Sequence, residues 1–198
     1  MYKLETSRLL LRQFEESDLQ DYFEYVSMDK VGPMAGWSHY GSLESARERL
    51  MIEMKKTLQF ALELKEIRKV IGSIEVMDIK TKRFGDIHAE ENSKEIGCVL
   101  SEKFWGHGYM PEAIKEIIRF CFQELNLAFV YASYVESNSQ IKKMDQKCGL
   151  YEVGRIKGSE TWIDGTVSDL VIVRISKDEF DQKHYSKDGR NENDKDDM

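Results

Sequence analysis

Apolar residues return at strand or helix spacing along most of the chain, and each change of period marks an element. Residues 8–14 read as a strand. The capping-box form of Ser17-Asp18-Leu19-Gln20 then predicts a helix whose Leu19, Tyr22, Phe23 and Val26 share a face. Gly32, Pro33 and Gly36 break that pattern, after which Ser42 caps a second predicted helix with Leu43, Ala46, Leu50 and Met54 on one side. Phe60, Leu62 and Leu64 alternate with Gln59, Ala61 and Glu63, the period of a half-buried strand; residues 70–76 supply its partner, and residues 65–69 the hairpin turn between them. A polar, irregular link over residues 78–94 leads to a strand at 95–101.

The clearest helix follows. Ile114, Ile117, Ile118, Cys121, Phe122 and Leu125 form one apolar stripe, with Glu112, Lys115, Glu116 and Arg119 directed away from it. Residues 128–135 read as a strand, 139–147 as a short polar helix, and 151–156 with 167–175 as a closing antiparallel pair. The fold class is therefore mixed α/β, with one strand-helix-strand unit in the middle, in a single domain over residues 1–180. Residues 183–198 offer almost nothing apolar to offset the entropy of ordering them, so they are expected to form a disordered, charged tail.

Composition narrows the functional classes. No apolar run approaches the about 18 residues of a membrane span, and the N-terminal segment lacks the pattern of a secretory signal, so no membrane role and a cytoplasmic location are expected. Three widely spaced cysteines, Cys98, Cys121 and Cys148, argue against a disulfide framework, and no metal is expected. The formal net charge of −7, without a basic stripe, argues against nucleic acid as a partner. An anionic ligand would have to be held by local geometry.

Such geometry is predicted at Lys103-Phe104-Trp105-Gly106-His107-Gly108-Tyr109-Met110-Pro111, between a strand and the apolar-striped helix. The amides of a helix start form an anion site. Gly106 and Gly108 have no Cβ to keep a pyrophosphate away, and Pro111 sacrifices no needed donor. The same glycines also suit a plain tight turn. A dinucleotide fold would want a third glycine with an acidic residue about 20 positions later, and a P-loop would want G-K-[ST]; neither is present.

Ile71-Gly72-Ser73-Ile74-Glu75-Val76, Glu95-Ile96-Gly97-Cys98-Val99-Leu100, the glycine turn through Ala113, and Asn138 followed by Lys147-Cys148-Gly149-Leu150 resemble the GCN5-related N-acetyltransferase (GNAT) superfamily. Within it, the chain is most similar to the branch that acetylates amino termini of ribosomal proteins, over about residues 4–179. The resemblance implies a mixed, mostly antiparallel sheet of about seven strands, split between strands four and five and flanked by about four helices. It implies acetyl-CoA as acetyl donor, with Lys103, Phe104, Trp105, Gly106, His107, Gly108 and Tyr109 at its pyrophosphate and Val99, Leu100 and Ser101 along its pantetheine arm. Lys103 stands where the family pattern has Arg or Gln. Asn138 matches a cofactor-contacting asparagine, and Trp37, His39 and Tyr40 fall in the loop that shapes the acceptor pocket in relatives.

The implied reaction is direct attack of a primary amine on the thioester. An α-amine (pKa about 8) or a lysine (about 10.4) must first lose a proton, and a backbone N–H such as that of Val99 or Leu100 would stabilise the oxyanion. Glu95 and Glu136, one on each of the strands bordering the split, are the candidate catalytic carboxylates, Glu95 first. Ile141 and Asp145 occupy positions where relatives carry hydroxyls, so solvent is expected to protonate the leaving thiolate. The favoured acceptor is a protein N-terminus. A small-molecule amine, or a noncatalytic acyl-CoA sensor, remains an alternative, and the chain is expected to be a monomer or homodimer.

Overall fold

The computed structural model describes residues 2–34, 40–80, 83–161 and 166–188. Among them are strands β1 (Leu4–Glu5), β2 (Leu9–Arg12), β3 (Gln59–Leu64), β4 (Lys69–Met77), β5 (Ser93–Leu100), β6 (Phe129–Val135), β7 (Tyr151–Thr161) and β8 (Val167–Ser176). The helices are α1 (Leu19–Val26), α2 (Val31–Met34), α3 (Leu43–Glu53), α4 (Tyr109–Gln123), α5 (Ser139–Cys148) and α6 (Lys177–Asp188). One sheet runs in the order β1-β2-β3-β4-β5-β6-β8-β7. Every neighbouring pair is antiparallel except β5 with β6. The two-residue β1 is the strand beyond the expected seven, too short to show a period in sequence.

Two layers cover the sheet. On one face α4 buries Ile114, Ile117, Ile118, Phe120 and Cys121 against Leu62, Ile74, Ile96, Val130 and Val173. Each large side chain removed from water there contributes about 1.5–3 kcal/mol. Phe120 joins the expected stripe because its ring meets Phe60 edge-on at 5.8 Å. On the other face, α1 and α3 cover β3 and β4 through Tyr22, Tyr25, Val26, Ala46 and Leu50. The second half of that face is covered by the β4–β5 link, whose Phe84 is fully buried with Tyr131 and Ile172. The sequence pattern read this link as polar and irregular; Ile79, Phe84 and Ile87 give it a small core of its own.

The capping box lies two residues before its predicted place. A 3-10 turn at Glu16–Asp18 opens α1, and Asp18 Oδ2 accepts from Glu15 N at 2.8 Å while also binding Arg12 Nη1 at 2.8 Å. Ser42 does cap α3, accepting from Ser45 N at 3.2 Å. At the C-terminal end α6 continues through Asp188, six residues into the stretch expected to be a tail, with Phe180 packed on Phe122 at 5.2 Å. Residues 189–198 lie outside the described set.

Glu112, expected to face away from the core, clamps the N-terminal hairpin instead. Its carboxylate accepts from Thr6 Oγ1 at 2.5 Å, Ser7 Oγ at 3.1 Å, Arg8 N at 2.9 Å and Arg8 Nε at 2.7 Å. Burial alone would raise its pKa, but these donors outweigh burial and hold it down at about 2. An acid depressed in this way contributes stability that is complete above its ordinary value of 4.5 and is lost as the pH falls toward 2. We therefore expect wild type to lose about 1–2 kcal/mol more stability than Glu112→Gln between pH 6 and 2.5, allowing for partial solvent screening. Thermal melts of both proteins across that range check it; parallel curves would contradict the clamp.

Candidate active site

β5 and β6 begin as a parallel pair, Ser93 with Phe129, Lys94 with Val130 and Glu95 with Tyr131, and then part. Beyond Glu95 each strand stays with its outer neighbour, β5 with β4 through Leu100 and β6 with β8 through Val135. Strand pairing dictates which peptides this leaves bare. Ser101 N donates to Ile71 O at 2.8 Å, so by the alternation of an antiparallel ladder Val99 and Gly97 also turn their backbone groups to β4. Those of Cys98 and Leu100 point into the gap. Likewise Glu136 N donates to Asp169 O at 2.9 Å, which turns Tyr134 to β8 and Ser133 and Val135 to the gap. The sheet thus carries a wedge whose two edges offer backbone donors and acceptors without a strand between them. Val99, expected along this edge, turns its backbone groups to β4, and Ser101 gives its N–H to Ile71 while its carbonyl accepts from Phe104 N at 3.0 Å.

At the open end of the wedge lies the glycine turn. Gly106 (φ 81°) and Gly108 (φ 79°) are both left-handed, a conformation L side chains resist. Gly108 is the N-cap of α4, so the first-turn amides that follow have no intrahelical acceptor. A Cβ on Gly106 would meet nothing within 4 Å. The turn leaves open space beside free helix-start amides, which fits the pyrophosphate of a coenzyme A ligand.

Neighbouring side chains fix the turn. Trp105 Nε1 donates to Leu100 O at 2.9 Å, tying the loop to the end of β5. Arg8 Nη1 donates to His107 O at 2.9 Å, and its guanidinium lies 4.4 Å from the Tyr109 ring centroid while paired to Glu112. Tyr109 also stacks on His107 at 5.9 Å and meets Phe104 at 6.4 Å. Lys103 reaches back to Glu24 Oε1 at 2.8 Å. Arg8 was not legible as a site residue, because it reaches the turn from 99 positions away in sequence.

Glu95 sits at the apex of the wedge, 3% exposed, on the face away from α4. Its Oε1 accepts from Ser133 Oγ at 2.6 Å across the gap and lies 3.7 Å from Arg83 Nη1. Glu136 is paired with Arg155 at the other end of the gap, about 16 Å further along the strand direction. The two candidate carboxylates are therefore not a pair. Asn138 Oδ1 caps α5 by accepting from Ile141 N at 3.2 Å. Tyr40 is half-buried beside the α1–α3 core. Trp37 and His39 lie outside the described residues.

Asp145, on α5, stands out by its burial, which the sequence did not show. It is 2% exposed and its Oδ2 has no hydrogen-bond partner. Burial pushes its pKa up to about 7. Its charge is felt by the thiols of Cys98 and Cys148 and by the Tyr134 hydroxyl, groups on β5, α5 and β6.

The acetyltransferase (GNAT) domain family model matches residues 8–151. The uncharacterized N-acetyltransferase YoaA of Bacillus subtilis is 24% identical over 179 residues, spanning 88% of this chain and 96% of that one. A GNAT-family acetyltransferase structure from Bacillus anthracis superposes with a TM-score of 0.74 at 22% identity, covering 89% of this chain and 99% of that one. Spermidine N-acetyltransferase from Vibrio cholerae, solved with CoA and spermine, superposes with a TM-score of 0.71 at 20% identity, covering 88% and 99%.

The open space around Gly106 yields a selective test. Gly106→Ala costs the fold only its left-handed strain, about 1–2 kcal/mol, yet places a methyl where a phosphate must approach. Calorimetry is expected to show acetyl-CoA affinity reduced at least about tenfold with melting lowered by a few degrees. Unchanged affinity would remove the turn from the site.

Proposed function

The chain belongs to the GNAT acetyltransferase family and is an acetyl-CoA-dependent N-acetyltransferase, and on that premise we propose that its acceptor is the amino terminus of a protein, as in the ribosomal-protein branch it resembles. The wedge between β5 and β6 with the glycine turn at its mouth supports the acetyl-CoA side of this reading; the acceptor rests on the resemblance to that branch. Acetyl-CoA supplies an activated acyl thioester. The first-turn amides of α4 and the loop from Lys103 to Tyr109 hold its pyrophosphate, and the gap-facing backbone groups of Cys98, Leu100, Ser133 and Val135 flank the pantetheine arm, apart from the Leu100 and Val135 carbonyls, which Trp105 Nε1 and Asn138 N occupy. Asn138 borders the same arm at the start of α5.

The amine approaches from the face opposite α4, where Glu95, Ser133 and Gly97 line the wedge. Glu95 takes the ammonium proton, directly or through the Ser133 hydroxyl bound to it, and the free amine attacks the thioester carbon. The N–H of Cys98 or Leu100 faces the developing oxyanion. Glu136, at the rim, presents a carboxylate that an incoming ammonium meets first. Tyr40, with Trp37 and His39, belongs to the acceptor side. The likeness to spermidine N-acetyltransferase supports a second reading, a polyamine acceptor, which the formal net charge of −7 would also attract.

Coenzyme A thiol release across polyamines, amino acids and peptides of varied first residue tests both readings. A protein-terminal enzyme shows a rate that depends on the first residues of the peptide and little turnover of spermidine; the reverse order selects the polyamine. Glu95→Gln is expected to lower kcat about 100-fold or more with acetyl-CoA affinity retained. Amine-independent release in wild type would contradict the transferase.

A further inference from the structure

Asp145 lies in the last turn of α5, where both burial and the negative end of the helix dipole disfavour an ionised carboxylate. Its Oδ2 has no hydrogen-bond partner among the described residues. Its position is set by its neighbours. Cys98 stands on β5 and Tyr134 on β6, on the same face of the sheet and on opposite lips of the wedge, and both sense the Asp145 charge. The carboxyl therefore sits over the wedge from the α4 side, while Glu95 and Ser133 border it from the other. A chain laid between β5 and β6 would seal Asp145 further from water and would bring it the amide and thioester oxygens of acyl-pantetheine.

We propose that Asp145 is a ligand-binding residue that works only as the neutral acid: its protonated oxygen donates a hydrogen bond to the acyl-pantetheine chain, so acetyl-CoA binding takes up one proton. The proposal rests on the wedge being the acetyl-CoA site. The uptake balances simply. The free protein with ionised Asp145 takes a proton from solvent on binding, the O–H bond persists in the complex, and release returns the proton.

The groups around Asp145 leave it as the titrating one. Burial pushes the Cys98 and Cys148 thiols up to about 12 and raises the Tyr134 hydroxyl, so all three stay protonated from about pH 7 to 9. Lys115 of α4 and Lys147 of α5 lie beside Cys148, and Glu136, Glu152 and Arg155 lie beyond Tyr134. With the free-state pKa near 7, affinity should fall by up to about tenfold per pH unit above it.

Isothermal titration of acetyl-CoA into the full chain, at several pH values from about 6.5 to 9 and in two buffers of different ionisation enthalpy, tests this. Expected for wild type is a Kd that rises about tenfold from pH 7.5 to 8.5, with uptake of about one proton at the upper end. Asp145→Asn keeps a neutral donor, so its Kd should be flat over that range and lower than that of wild type at pH 8.5. Asp145→Leu, neutral without a donor, should bind weakly at every pH. A wild-type Kd that is flat from pH 7 to 9 overturns the proposal alone, as does the same slope surviving in Asp145→Asn. Absence of acetyl-CoA binding at every pH overturns the acetyl-CoA site itself.

Discussion

The proposed chemistry of this fold depends on the point after Glu95 where β5 and β6 stop pairing. A parallel pair inside a sheet should exchange hydrogen bonds along its whole length, since bare backbone groups away from water are costly. Here β5 follows β4 and β6 follows β8, leaving the peptides of Cys98, Leu100, Ser133 and Val135 with no strand to meet. An extended ligand with alternating amide donors and acceptors repairs that defect. Leu100 also shows how the protein limits the opening, because its carbonyl is taken by Trp105 Nε1 at the loop.

The wedge divides the chemistry between two faces. On the face away from α4, Glu95 is held by Ser133 from the opposite lip, which closes the apex. On the α4 face, Asp145 of α5 is buried and its Oδ2 has no hydrogen-bond partner among the described residues. One acid is hydrogen-bonded across the gap; burial pushes the pKa of the other up to about 7. At the mouth, Arg8 and Glu112 join the N-terminal hairpin to the first turn of α4, so the glycine turn is braced by a segment distant in sequence.

The order of elements was legible because periodicity reports burial directly: α4 shows its stripe, and β3 and β4 their alternation. The glycine turn was legible because a left-handed backbone leaves few choices of residue. Glu112 and Arg8 were not, since on a helical wheel Glu112 is one more polar residue and its donors lie 104 to 106 positions away. The sequence placed Asp145 where relatives carry a hydroxyl but did not show that it is buried. Its burial depends on how α5 sits against β5 and β6, which no local pattern encodes. That Val99 turns its backbone to β4 and Cys98 to the gap was not legible either: the residues that face the gap follow from the register with β4, and register is a tertiary fact.

Residue-resolved amide hydrogen exchange with and without acetyl-CoA measures the repaired ladder directly. Amides of Cys98, Leu100, Ser133 and Val135 should become strongly protected when acetyl-CoA binds, while those of Gly97, Val99 and Tyr134, already bonded to β4 or β8, should change little. Protection that falls on Val99 and Tyr134 instead, or saturating acetyl-CoA that leaves all four gap-facing amides exchanging as before, would contradict the wedge as the place where the ligand lies.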